Sequence, residues 1–199
     1  MADAPEDSWE KTWDSRLGAL EQRFGKSADH VYHGVLPFAF GGEADVVVFP
    51  AYQGGIAHVT AEMTGEEVGQ VRGEFASYEL MICTRTKNDK AADLISRLAR
   101  STCESRLLAG ESMDIGDFFD DRSIRAILFC HPEEQPVVFE VNQRRCGILL
   151  CVGITKDELD LKMKQGSVVL LELLKAKGVF PFTDPNRTSL VSKPWYRPW

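Results

Sequence analysis

The 199-residue sequence has no apolar run near the roughly 20 residues that a membrane-spanning helix needs. Its first seven residues are acidic and lack the basic and apolar regions of a secretory signal. The formal net charge of −7 disfavours nucleic-acid binding, which normally requires a basic face. We therefore expect a cytoplasmic protein that binds neither membranes nor nucleic acids.

Sequence motifs that would indicate a particular enzymatic reaction are absent as well. The five cysteines include no C-x-x-C pair, and the glycine pairs at 41–42 and 54–55 fit neither phosphate-binding pattern. Free cysteines in apolar strand-like runs usually behave as small buried hydrophobes. We predict such reduced core thiols at Cys83, Cys130, Cys146 and Cys151. No catalytic residue, cofactor or metal is predicted.

Two residue pairs are candidates for a metal site or a catalytic pair. His30 and His33 would share a face only on a helix, and the Val-Tyr pair between them favours an extended segment. Cys130 and His131 are adjacent, and neighbours on a strand point to opposite faces, so they do not suit a nucleophile and its base. A structural role or simple exposure is favoured for all four.

Apolar spacing predicts the order of helices and strands. A helix is expected from about residue 9 to 24, capped by Asp7 or Ser8, and the mixed segment 29–40 is compatible with strand around Val31 and Leu36. Strands are predicted at 45–50, 56–63, 77–84, 124–130, 137–141 and 146–154, a helix at 89–103, and an irregular acidic segment at 111–121. This order indicates an α+β fold with a mixed or antiparallel sheet covered by helices.

The segment from Ile148 to Arg187 carries the clearest local signals. Thr155 suits a helix N-cap, and Glu158 three residues later completes a capping box. Two short helices follow, interrupted at 166–167, and Gly178 suits the position that ends the second. The Thr-Asp-x-x-Arg sequence at 183–187 is typical of a turn.

Three blocks in this order resemble the suppressor-of-fused domain family. They are Asp45–Pro50 leading to His58–Thr60, Tyr78–Ile82 followed by a helix with Leu94 and Leu98, and Val152–Leu159 with the Gly166–Leu174 and Thr183–Arg187 segments. The resemblance implies a compact α+β domain without known catalytic activity over about residues 8–191. Residues 1–7 would then form a flexible N-terminal tail and residues 192–199 an aromatic C-terminal tail.

The resemblance also implies that the partner is a protein. In animals a larger, two-domain member restrains a transcription factor by gripping a short peptide as a strand, and this sequence matches only the first domain. Stand-alone bacterial members resemble immunity proteins, proposed to neutralise polymorphic toxins, often nucleases. We therefore expect a non-enzymatic protein-binding domain of immunity type. The alternatives are a regulatory or scaffolding module and a small hydrolase or metal-dependent enzyme, in which Asp114–Asp121 would converge with His131.

Partner-binding residues are expected in three places, and an unpaired sheet edge is a further candidate. Proline-flanked aromatic residues suit docking into a partner, although the tail that carries them could equally fold back onto its own domain. The acidic segment suits a protein contact, and an arginine can anchor an interface, although here it more readily holds a turn. The candidates are Trp195, Tyr196 and Trp199 in the tail, Asp117, Asp120 and Asp121 in the acidic segment, and Arg187.

Overall fold

The computed structural model describes residues 5–64, 75, 77–120 and 123–191, with the side chains described from residue 9 onward. Within these residues, four α-helices and eight strands form the fold. They are α1 (Pro5–Phe24), β1 (Val31–Tyr32), β2 (Val46–Tyr52), β3 (Gly55–Thr60), β4 (Tyr78–Thr84), α2 (Asp89–Glu104), β5 (Ser112–Asp114), β6 (Ile124–Cys130), β7 (Val138–Val141), β8 (Arg144–Thr155), α3 (Lys156–Gln165) and α4 (Ser167–Ala176). The predicted tail residues Trp195, Tyr196 and Trp199 lie outside the described residues, as does Asp121.

All eight strands join one sheet in the order β1-β2-β3-β4-β8-β6-β5, and β7 pairs with β8 beside β6. Neighbouring strands are antiparallel except β4 and β8, which run parallel. The mixed α+β architecture predicted from the sequence is therefore confirmed. Strand β8 holds the sheet together because its apolar run is long enough to pair with β4 on one side and with β7 and then β6 on the other.

Helices cover both faces of the sheet. Alternate residues of β8 point to opposite faces, so Leu150 and Val152 pack in the core beneath α1 and α4. Leu149 and Cys151 pack in the second core, beneath α2. This two-sided burial explains why β8 has an apolar run rather than an alternating pattern.

Helix α1 is fixed to the sheet by a buried arginine. Nη1 of Arg16 donates to the carbonyl oxygen of Ala61 at 2.6 Å, and Nε donates to that of Thr64 at 3.0 Å. The same guanidinium lies 3.6 Å from the carboxylate of Glu79, in the middle of β4. The end of β3, the middle of β4 and α1 thus meet around one buried charge.

Three local predictions differ from the structure. Helix α1 begins at Pro5, before the predicted cap at Asp7 or Ser8. Leu36 lies in a loop, because the chain turns into a short 3-10 helix at Phe38–Phe40 directly after it. The segment predicted to be irregular contains β5, which forms through its antiparallel pairing with β6 rather than through an alternation of its own.

The cysteine prediction agrees with the structure. Cys83, Cys130, Cys146 and Cys151 are buried free thiols, and Cys103 is exposed. None of the helices in the described part of the chain is long and apolar enough to cross a lipid bilayer.

Candidate protein-binding site

The loop between β1 and β2, residues 33–45, exposes three large apolar side chains. Val35 is fully exposed, Phe40 is 78% exposed and Leu36 is 48% exposed. Phe38 points the other way and is buried in the core beneath α2. Apolar side chains grouped on one exposed loop are typical of a protein-interaction site.

Two close glycine contacts shape this β1–β2 loop. A Cβ atom on Gly42 would lie 1.6 Å from the carbonyl oxygen of Leu36, and one on Gly34 would lie 2.3 Å from that of Glu43. The N–H of Gly42 donates to the carbonyl oxygen of Pro37 at 3.1 Å. The loop therefore closes on itself at a distance that only glycine permits.

Two carboxylates hold the β1–β2 loop from beneath. The carboxylate of Asp45 accepts the N–H of Gly34 at 2.9 Å and lies 2.7 Å from Nδ1 of His33. Glu62 accepts the N–H of Asp45 at 3.0 Å and that of Phe38 at 3.4 Å. Burial raises the pKa of Glu62, although these bonds favour its charged form. The exposed apolar side chains thus stand on a loop that is already ordered before any partner binds.

A groove of about 270 Å³ lies beside the loop, between β1 and α2. It is lined by Tyr32, His33, Glu43, Asp89, Ala92, Asp93 and Ser96. Three of these residues are carboxylates, and no described Lys or Arg lines the groove. Two cations pair with these carboxylates from outside the groove: Nε of Arg97 lies 2.8 Å from Asp93 and 3.8 Å from Glu43, and Nζ of Lys87 lies 3.7 Å from Asp89. Three carboxylates thus face two cations. The groove itself is acidic.

Neutral aromatic side chains form its inner end. The hydroxyl of Tyr32 donates to Asp89 at 2.5 Å, and burial together with this bond raises the pKa of Tyr32 to about 12. Behind it, with ring centroids 6.5 Å apart, lies the buried His58 of β3. Burial lowers the pKa of His58 to about 4, so this ring is neutral at pH 7 and does not offset the acidic groove.

The predicted acidic cluster does not form a single site within the described residues. Asp117 pairs with Arg125, and Asp120, whose φ is +55°, pairs with Lys90. Each carboxylate therefore has its own cation on the domain. Asp121 lies outside the described residues, and partner binding by these aspartates stays a prediction.

The residues of the enzyme alternative lie apart. Asp114 accepts the N–H of Gly116 at 2.7 Å, whereas His131 lines a separate groove at the end of β6. Burial raises the pKa of the Cys130 thiol to about 12, the opposite of what a cysteine nucleophile needs. Among the residues that the structure describes, no three His, Cys, Asp or Glu side chains are grouped so that they could hold a metal ion.

Arg187 lies in the interior. Its Nη1 and Nη2 lie 2.6 and 2.5 Å from the two carboxylate oxygens of Glu158, and Nη2 also donates to the carbonyl oxygen of Gly153 at 3.0 Å. Its side chain is only 9% exposed. The predicted turn is confirmed, because Asp184 accepts the N–H of Asn186 at 2.8 Å. This geometry favours the architectural interpretation of Arg187, and its role in partner binding stays a prediction.

The sequence interpretation missed the β1–β2 loop. A signal was present: Val35 and Leu36 directly follow Gly34, and Phe40 directly precedes Gly41-Gly42. Apolar residues enclosed by glycines suit a loop better than a strand. The direction in which each side chain points depends on packing, so Phe38 could not be distinguished from Phe40 in advance.

Comparison with known proteins agrees with this fold. None of the curated proteins matches the sequence significantly. A suppressor of fused homologue from Neisseria gonorrhoeae has a similar structure, with a TM-score of 0.68 and 17% identity over 93% of this chain and 100% of that one. A chain of the Sufu–Fu complex matches with a TM-score of 0.68 and 14% identity, over 90% of this chain and 92% of that one.

Drosophila Suppressor of Fused gives a TM-score of 0.69 at 14% identity; the match covers 95% of this chain but only 54% of the Drosophila protein. At such low identities the structural likeness shows the fold alone. The sequence itself matches the family model described as suppressor of fused protein (SUFU) over residues 44–188. That match covers most of the chain, and the chain therefore belongs to the suppressor of fused protein family.

Proposed function

We propose that this chain is a non-catalytic protein-binding domain that binds a basic protein through the β1–β2 loop and the adjacent acidic groove. The partner we propose is a bacterial toxin, so that the chain acts as an immunity protein. One observation carries the proposal: Val35, Leu36 and Phe40 are exposed on an ordered loop beside a groove lined by three carboxylates.

The energetics of such a surface suit tight binding. Apolar anchors supply affinity in proportion to the area that they bury, roughly 25 cal/mol per Å². Because the loop is held by Asp45, Glu62 and two glycine contacts, little conformational entropy is lost when a partner docks. The carboxylates Glu43, Asp89 and Asp93 attract a basic surface and speed association, and this contribution weakens as salt is added.

Three observations support a protein partner and the toxin class. The Sufu–Fu complex shows that one protein of this fold binds another protein. The match to the Neisseria gonorrhoeae homologue covers 100% of that chain, so the same fold occurs in a bacterial protein. A net charge of −7 suits the masking of a basic nuclease surface.

Co-expression with the proteins encoded beside this chain's own gene tests the proposal. We expect one neighbour to arrest growth when it is expressed alone, and the full chain to restore growth and to purify with it as a stoichiometric complex. The double substitution Val35→Glu and Phe40→Glu should abolish both effects. Met163→Glu is the matched control, because Met163 is 72% exposed but lies on α3, away from the loop.

The other outcomes are equally informative. A stable complex with a neighbour that is not toxic would replace immunity by the regulatory or scaffolding role, which the likeness to the Sufu–Fu complex favours as second candidate. Protection that survives Val35→Glu and Phe40→Glu would remove the β1–β2 loop from the interface. Absence of both protection and complex formation would overturn the immunity proposal.

A further inference from the structure

Three exposed apolar side chains lie at the corner where α3 ends and α4 begins. Met163 of α3 is 72% exposed, and Val168 and Val169 in the first turn of α4 are 72% and 43% exposed. Among the described residues, the other exposed large apolar side chains are Trp9 and those of the β1–β2 loop. Grouped apolar side chains on a surface are typical of a protein-interaction site. The α3–α4 corner is therefore a candidate interface of its own.

A groove of about 250 Å³ lies beside this corner, between α4 and the end of β6. Leu128 and Cys130 of β6 and Leu171 of α4 line it with apolar surface. Its residues on α4 extend from Ser167 to Lys175, which is roughly 12 Å of helix. A groove of this size accepts one or two protein side chains rather than a whole small molecule, because ligand pockets usually start at about 300 Å³.

The backbone fixes the shape of this β6–α4 groove. The N–H of Gly110, whose φ is +90°, donates to the carbonyl oxygen of Phe129 at 2.8 Å. A Cβ atom on Gly110 would lie 2.9 Å from Oγ of Ser167, the first residue of α4. The turn before β5 therefore packs against the start of α4, and the groove is already formed before any side chain enters it.

The rim of the groove carries available negative charge. Glu133 pairs with Arg23 of α1, and Nζ of Lys175 lies 3.5 Å from Glu172. Glu134 also lines the groove, but it makes no ion pair or hydrogen bond with any residue that the structure describes. The side chains that enter this groove should therefore combine an apolar group with a positive charge.

The α3–α4 corner presents that combination. Lys164 is exposed next to Met163 and makes no ion pair or hydrogen bond within the described part of the chain. Neither side chain lines the groove of its own domain. One surface thus carries an apolar side chain with an unpaired lysine, and beside them an apolar groove with an unpaired glutamate.

Two such complementary features on one surface suit a symmetric dimer. In a twofold interface both copies use the same patch, so every contact between two different residues occurs twice. Val168 belongs both to the corner and to the lining of the groove. An axis near Val168 therefore brings the corner of each copy to the groove of the other.

We propose that two copies of this chain form a twofold dimer through the α3–α4 corner. Met163 of each copy enters the β6–α4 groove of the other copy, and Lys164 pairs there with Glu134. The dimer leaves the β1–β2 loop open, because Phe38 of that loop packs with α2 on one face of the sheet and Leu170 of α4 packs on the other. The proposal therefore does not rest on the proposed function.

A charge exchange in the full chain tests the pairing by sedimentation equilibrium. We expect a dimer in the wild type, and Lys164→Glu or Glu134→Lys should each raise its dissociation constant at least about tenfold, since each variant puts two like-charge contacts into the interface. The chain that carries both substitutions should return to within about threefold of the wild type. A wild type that stays monomeric at the highest concentration it tolerates would overturn the proposal, as would a double variant no tighter than the single ones.

An apolar substitution tests the groove contact. Met163→Glu places a carboxylate in the groove of the other copy and should leave the chain monomeric. Val35→Glu is the matched control, because Val35 is also fully exposed but lies on the β1–β2 loop, and it should leave the dimer intact. Both side chains are exposed, so circular dichroism should show a folded chain in each case. A dimer that survives Met163→Glu would overturn the proposal.

A photo-crosslinking residue in place of Met163 gives an independent measurement. We expect a crosslink between two molecules that joins position 163 to the 128–134 or 168–175 segment. A crosslink to these segments within one molecule would contradict the exchange between copies. A crosslink to any other part of the second copy would overturn this geometry as well.

The outcome is separable from that of the proposed function. Met163→Glu removes the dimer but leaves the β1–β2 loop unchanged, and Val35→Glu does the reverse. Loss of dimerisation with Met163→Glu is therefore expected whether or not the chain protects against a toxin.

Discussion

Two buried glutamates lie beside arginines in different parts of the molecule. Glu79 stands in the middle of β4 beside Arg16 of α1, and Glu158 stands in the first turn of α3 beside Arg187. Both glutamates are fully buried. The residue types are the same, but the two arginines use their hydrogen bonds differently.

The guanidinium of Arg187 bonds mainly to the carboxylate of Glu158. Its two terminal nitrogens face the two oxygens of Glu158 at 2.6 and 2.5 Å. The N–H groups of Thr155 and Leu190 donate to the same carboxylate at 2.9 and 3.0 Å. Such a two-pronged pair is the strongest form of charge-assisted hydrogen bonding.

The guanidinium of Arg16 instead donates its hydrogen bonds to backbone carbonyl groups. It bonds the carbonyl oxygens of Ala61 and Thr64, and approaches Glu79 only to 3.6 Å. The carboxylate of Glu79 accepts hydroxyl protons from Thr60 at 2.6 Å and Thr64 at 2.7 Å, and the N–H of Met63 at 3.0 Å. Its donors are therefore mostly neutral.

The pKa values of the two carboxyls move in opposite directions. Burial raises the pKa of Glu79 to about 7, because Arg16 and the neutral donors offset only part of the desolvation. Burial opposes the charged form of Glu158 as well, but the bonds from Arg187, Thr155 and Leu190 outweigh it, and its pKa lies below the ordinary value. The orientation of the guanidinium thus decides whether a buried glutamate prefers its charged or its neutral form.

The largest effect is expected from Arg187→Met. This substitution leaves the charge of Glu158 buried and unpaired, which costs about 3–5 kcal/mol of the free energy of unfolding. Arg16→Met is the matched variant, and we expect it to cost less, about 1–3 kcal/mol, because Glu79 can take up a proton and the loss is mainly that of two carbonyl partners. Urea denaturation of both variants at pH 7 measures the difference, and equal losses would contradict it.

The second prediction concerns the pH dependence that Glu79 imposes. Its pKa is about 7 in the folded chain against an ordinary value of 4.5, so the folded state binds this proton more tightly. The resulting stability is fully present below pH 4.5 and is lost as the pH rises through 7, by at most about 3 kcal/mol. Glu79→Gln removes this titration. The free energy of unfolding of the wild type relative to Glu79→Gln should therefore fall between pH 5 and 8, and a constant difference would show that Glu79 stays ionised throughout.

Glu158→Gln should show the opposite sign. The pKa of Glu158 is lowered in the folded chain, so its stabilisation is present above the ordinary value of 4.5 and is lost as the pH falls through the lower folded value. The wild type should therefore gain stability over Glu158→Gln as the pH rises from acid towards neutral. Because burial opposes the donors at this site, we expect the smaller of the two pH effects. A fall in relative stability with rising pH, as expected for Glu79, would refute the comparison.

The sequence predicted those parts of this picture that depend on local spacing. Thr155 and Glu158 stand three residues apart at the start of the amphipathic helix α3, and the structure contains the capping box that this spacing predicts. The pairing of Glu158 with Arg187 spans 29 residues and has no local signal, because it depends on how the turn after α4 returns to α3. For the same reason β5 and the exposure of Phe40 were missed: strand pairing and the glycine contacts of the β1–β2 loop are tertiary features.

Thr155→Ala is expected to have the smallest effect and makes the sharpest distinction. Oγ1 of Thr155 accepts the N–H of Glu158 at 3.3 Å, so its removal costs about 1 kcal/mol, as for other helix caps. The carboxylate of Glu158 keeps Arg187 and its backbone donors. The pH at which stability is lost on acidification should therefore stay the same. Thr64→Val, in contrast, removes a hydroxyl donor from the carboxylate of Glu79, and the pH-dependent loss of stability should then shift to higher pH. If Thr155→Ala shifted the pH of this acid-induced loss of stability, the hydroxyl of Thr155 rather than the bidentate Arg187 would control the charge of Glu158.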